Sequence, residues 1–109
     1  PIVRERDGLA ISSRNAYLSA EERTRAAGIA CALRQARAWH AAGAGPRAII
    51  ARLRAAIARE VSPRIDYISV VDLATLRSVA APRPGQSVMI AVAVFVGRAR
   101  LIDNIRLRW

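Results

Sequence analysis

A single cysteine, Cys31, excludes an internal disulfide and any cysteine metal cluster, and fits a reducing compartment. A single histidine, His40, excludes a histidine-based metal site and leaves no second partner for a nucleophile. Near the end of a helical stretch it reads as a side chain facing the helix C-terminal dipole. No apolar run approaches the ~18 residues a membrane span needs, and no basic-then-apolar leader with a cleavage site is visible. Glycine-rich phosphate loops of the Walker or dinucleotide type are also missing. What remains is a soluble, cytoplasmic reading, with enough chain for one domain that buries about two-thirds of its unfolded surface.

Lysine is absent altogether. All 18 basic residues are arginine, set against eight acidic ones, for a net charge of +10. Such a balance invites a nucleic-acid reading. The arginines are scattered over every segment, however, and the five aromatics do not interleave with them as stacking platforms would. The expectation is therefore a mostly solvated basic surface, with exclusive arginine use a coding bias and no specific nucleic-acid partner.

Polar chemistry concentrates in one place. Asp7-Gly8 is a strong type I′ turn signal, because both central residues of that turn need positive φ. It separates Ile2-Val3-Arg4-Glu5 from Leu9-Ala10-Ile11, two short runs able to pair as a hairpin. The second arm leads into Ser12-Ser13-Arg14-Asn15, two hydroxyls, a guanidinium and an amide that can all donate to phosphate oxygens. Spacing alone does not separate this from a solvated loop.

The stretch from Arg4 to Asn15 resembles the nucleotide-binding loop of the pantothenate synthetase (pantoate–β-alanine ligase) family, the counterpart of the KMSKS loop of class I aminoacyl-tRNA synthetases. The family usually has Met or Leu where this chain has Ile11, an exchange that leaves the polar atoms intact. The resemblance continues at Tyr67-Ile68-Ser69-Val70-Val71-Asp72, at Thr75-Leu76 and at Arg100-Leu101-Ile102-Asp103-Asn104, and so covers the chain from end to end. It implies the C-terminal domain, residues 1–109, of a two-step ligase of the coenzyme A pathway. ATP and pantoate form pantoyl adenylate and pyrophosphate, and the amine of β-alanine then displaces AMP. It further implies that the pantoate pocket and the Mg²⁺ site lie in an N-terminal nucleotide-binding domain absent from this sequence, and that the complete enzyme is a homodimer. Carried over by position, Val3 offers backbone hydrogen bonds to adenine and Ile11, Ser12, Ser13 and Arg14 hold the ATP phosphates, with Arg14 as the catalytic charge. The chain alone is expected to be inactive. Two rival readings stand beside it: a small basic nucleic-acid-binding module, and an interaction or dimerisation domain built on the Val88–Val96 run.

The rest of the chain reads as α+β. Ser19 with Glu22 forms a capping box, with Leu18 as a hydrophobic staple, and opens a helix expected from about Ala20 to Ala42 with Ala26, Ile29, Ala30, Leu33, Ala36 and His40 along one stripe. Gly43-Ala44-Gly45-Pro46 ends it and starts a second helix to about Glu60, carried by Ile49, Ile50, Leu53, Ile57 and Val61. The short connection makes the two helices antiparallel. Ser62-Pro63 breaks the pattern, and Ile65 to Val71 reads as a strand ending at Asp72. Leu73 to Val79 is expected as a turn or helical stub. Val88 to Val96 is uninterrupted apolar, as in a central strand covered on both faces or buried at a partner surface, and Arg100 to Ile105 is a third, edge strand. Two helices on a small three-stranded antiparallel sheet, with an N-terminal hairpin and loop, is the expected architecture. Asp66, Asp72 and Asp103 lie in or beside strands, where turn-capping or pairing with arginine is the expected role.

Overall fold

The structure, a computed structural model, describes residues 18–109. The expected hairpin and the Ser12-Ser13-Arg14-Asn15 run lie outside the described residues.

Three helices and three strands follow in the order α1 (Ala20–Ala26), α2 (Gly28–Ala41), α3 (Pro46–Glu60), β1 (Ile65–Asp72), β2 (Ser87–Val96) and β3 (Ala99–Arg108). The capping box at Ser19 is formed in both directions. The Ser19 hydroxyl accepts from Glu22 N–H at 3.1 Å, and Ser19 N–H donates to Glu22 Oε1 at 2.9 Å. Leu18 packs against the core beside it.

The first helix is not continuous, which corrects the expected Ala20–Ala42 span. It breaks at Ala27, after which Gly28 starts α2. The cause lies at Gly28, where a Cβ would sit 3.0 Å from Val61 Cγ2 at the end of α3. Glycine allows this close approach and also weakens the helix at that point. At the other end of α2, Gly43 adopts φ +97°. Its N–H donates to His40 O at 2.9 Å and Ala44 N–H donates to Trp39 O at 3.0 Å, the paired bonds of a Schellman cap. Gly45 and Pro46 then open α3. The helix stripes pack as expected, with Ala26, Ile29, Ala30, Leu33 and Ala36 buried, joined by Ala32, and with Ile49, Leu53, Ile57 and Val61 from the second stripe.

The sheet has the order β1-β2-β3, antiparallel throughout, with β2 in the centre. Val88, Ile90, Val92, Val94 and Val96 alternate along β2 and are all buried, on the side shared with Ile68 and Val70 of β1 and Leu101 and Leu107 of β3. That face carries the helices. Burying one such aliphatic side chain contributes about 1.5–3 kcal/mol. Ala91 and Ala93 occupy the opposite face of β2 and are themselves buried, which is why the run reads apolar without alternation. The third strand runs longer than expected, because Trp109 N–H donates to Gln86 O and Gly85 N–H donates to Trp109 O, extending the pairing past Arg108. Leu73 to Val79 is a turn whose end returns along the sheet edge through the Val71–Ser78 bridge.

The β2–β3 connection is the two-residue turn Gly97-Arg98, with Gly97 at φ +57°. The Glu22 carboxylate lies against Gly97, where a Cβ would run into it. Gly97→Ala is expected to cost about 2–3 kcal/mol, combining the left-handed conformation of an L-residue with the loss of a cap. Urea unfolding measures it. Combining Gly97→Ala with Glu22→Ala should cost less than the two singles together, because the second change removes the collision.

Candidate functional site

Leu18 and Ser19 are pinned by the core and by the capping box, and Glu22 of that box abuts the Gly97 turn. Arg64 joins the same end of the sheet. Its Nη1 donates to Gly97 O at 3.3 Å and its guanidinium sits over Phe95 at 5.3 Å. The chain therefore enters α1 through Ser19 beside the β2–β3 turn. Val3, Ile11, Ser12, Ser13 and Arg14 themselves lie outside the described residues.

The three strand aspartates are held apart. Asp66 at the start of β1 accepts from Arg100 Nε at 2.9 Å and Nη2 at 2.8 Å, both on Oδ2. Asp72, at the other end of β1, is the hub of the following turn. Its Oδ2 accepts from Thr75 N–H at 2.8 Å and Ala74 N–H at 3.1 Å, and its Oδ1 accepts from Gln86 Nε2 at 2.9 Å. Its pKa is held below the ordinary carboxylate value, first by the Gln86 bond and then by the Thr75 bonds, because each donor favours the charged form. Leu76 at the tip of this turn takes φ +60° and is 64% exposed. Asp103 lies on the helix-covered side of β3 opposite Val92 and is only 4% exposed. Asn104 N–H donates to its Oδ1 at 2.7 Å. Asp72 caps a turn and Asp66 pairs with an arginine, as their residue types and positions predict.

Sequence reading missed the attachment of His40. Its Nε2 lies 3.0 Å from Arg108 O and its ring packs on Trp109 at 4.2 Å, so it joins the end of α2 to the end of β3. Since Arg108 O can only accept, Nε2 carries the proton. No local signal announces a partner 68 positions away.

A family model described as pantoate-beta-alanine ligase matches residues 1–106, the polar run included. The chain belongs to the pantoate–β-alanine ligase family. It is similar to pantothenate synthetases of Syntrophotalea carbinolica, 47% identical over 105 residues, and of Acidobacterium capsulatum, 47% identical over 108 residues. These alignments cover 95% and 98% of this chain and 36% of each relative. The crystal structure of pantothenate synthetase from Thermus thermophilus superposes with a TM-score of 0.81 at 38% identity, covering 96% of this chain and 37% of that one. The chain thus spans little more than a third of the family members it matches. The α+β architecture is that of the family's C-terminal domain.

Proposed function

We propose that this chain serves as the ATP-phosphate lid of a pantoate–β-alanine ligase. It closes over a nucleotide bound by an N-terminal domain during formation of pantoyl adenylate. The observation that carries the reading is the family match across residues 1–106, which takes in the Ser-Ser-Arg-Asn run. The anchoring of Leu18 and Ser19, a few residues after that run, supports it.

In this reading Ser12 and Ser13 donate to phosphate oxygens, Arg14 supplies a fixed charge with a planar fork, and the Val3 backbone meets adenine. Attack of the pantoate carboxylate on the α-phosphorus builds charge on the equatorial oxygens and on departing pyrophosphate, where pre-placed donors act. Closing the domain excludes water from the adenylate before the β-alanine amine attacks. None of these side chains moves a proton. In this proposal Mg²⁺ is held by ATP and the N-terminal domain, as the family resemblance implies. A homodimer of the complete enzyme in the cytoplasm belongs to the same proposal.

Titrating the ¹⁵N-labelled chain with ATP tests the placement. The amides of Val3 and Ile11 to Asn15 should shift first, with affinity in the millimolar range because only a few contacts are available. Shifts centred on α2 or α3 would put the nucleotide on the wrong face and overturn the reading.

A further inference from the structure

We propose that the open face of the sheet, turned away from the helices, is the surface this chain lays on the preceding domain of the complete ligase when the lid closes. The inference rests on the lid reading and deepens it by naming the face and its partner.

The pleat decides which side chains stand on that face. The register puts Tyr67, Ala93 and Ile102 side by side across the three strands. One step along, Ala91 lies between Ser69 and Asn104, and beyond it Val71 lies beside Met89. Ala91 and Ala93 are buried, whereas the residues flanking them are half-buried or exposed. The face is therefore a shallow trough floored by alanine along β2, with Tyr67 on one wall and Ile102 on the other. Among the described residues the most exposed large apolar side chains are Leu76 and Ile102, and neither is on a helix. The exposed positions of α2 and α3 are arginine, alanine, Cys31, Gln35 and Glu60, a solvated surface without an apolar centre. At one end of the trough Arg100 reaches from β3 to Asp66 at 2.8 Å and over the Tyr67 ring, so its charge is already matched. An apolar centre whose neighbouring cation is satisfied has the make-up of a protein interface.

Size and tethering choose the occupant. Three strands of 8–10 residues, about 4.8 Å apart, present a face on the order of 450 Å². A stable association of separate chains needs about 800 Å² from each partner, so a second copy is a poor fit. Domains of one chain meet through about 600–1,500 Å² in all, counted on both sides, which this face supplies. Tethering also provides the effective concentration that a small face lacks. The alignments cover 36% of each relative, which leaves a preceding domain larger than this chain to meet the face. The chain enters α1 at the end of the sheet that carries the Gly97 turn, so that domain is attached within reach of the trough.

Paramagnetic relaxation of methyl groups by a soluble gadolinium chelate tests this. In the 109-residue chain the chelate should reach the Ile102 and Met89 methyls. In the complete enzyme with ATP bound, their enhancement should fall at least about fivefold, as in a dry interface core. The methyl of Ala55, exposed on α3, should keep its own. Ile102→Glu in the complete enzyme should restore the enhancement at Met89, and Ala55→Glu should not. Unchanged enhancement at Ile102, in a complete enzyme that makes pantothenate, would overturn the docking face and leave the ligase reading standing. Shielding of Ile102 in a complete protein without ligase activity would support the face and remove the ligase reading. Ile102 already shielded in the 109-residue chain would overturn the proposal, giving the face to the chain itself at every concentration or to a second copy at high concentration.

Discussion

Incubated with ATP, pantoate and β-alanine, the 109-residue chain should release no AMP above the uncatalysed background. The expectation follows from the division of labour proposed for the family. The chain corresponds to 36–37% of the relatives it matches, and the proposed pantoate pocket and metal belong to the remainder. Adenylate formation is a bimolecular attack whose barrier falls chiefly because the two reactants are held in line. A lid that touches only phosphate and adenine positions one reactant and cannot orient the other. Adding the N-terminal domain as a separate polypeptide should restore a trace of activity, because the lid contacts are then present at low effective concentration, and tethering the two should raise it steeply. AMP release that requires both pantoate and β-alanine, from chain purified free of full-length enzyme, would show that the pocket is here after all.

How far the fold could be read from the sequence depends on how local its causes are. The capping box at Ser19, the Pro46 start of α3 and the β-branched run into Asp72 are decided within a few residues, and each falls where the sequence places it. The break at Ala27 escaped because its cause is the close approach of Val61, more than thirty residues on, to a glycine that helical periodicity tolerates. The extra length of β3 escaped for a similar reason, since Trp109 donates to Gln86 O and accepts from Gly85 N–H only once the strands have met. Of the strand aspartates, Asp72 was legible as a turn cap, and Asp66 finds the arginine partner expected of such a residue. The joining of His40 to Arg108 had no signature in either segment alone. The proposed site itself was legible only through the family resemblance. Two serines, an arginine and an asparagine in succession state a capacity to bind phosphate, and the run lies within the stretch that the family model matches.

In the complete enzyme, replacing Arg14 by alanine should slow pantoyl adenylate formation by roughly 10²–10³-fold, about the loss of one oxyanion donor. Arg14 is the permanent charge of the Ser-Ser-Arg-Asn run, and its fork can bridge two phosphate oxygens where a lysine offers a point charge. The contact is proposed to strengthen as charge moves onto pyrophosphate, so the rate should suffer more than the apparent ATP affinity. Ground-state triphosphate keeps its metal and both serines. The reverse half-reaction should slow by the same factor, since both directions cross one transition state. Arg14→Lys should recover part of the rate by restoring charge without the fork. Were Arg14 a solvated loop residue instead, neither substitution would matter, and the two serines would carry the phosphates unaided. Pre-steady-state pyrophosphate release separates the cases: an alanine variant within about threefold of wild type, a difference of well under 1 kcal/mol, leaves no room for Arg14 in the transition state.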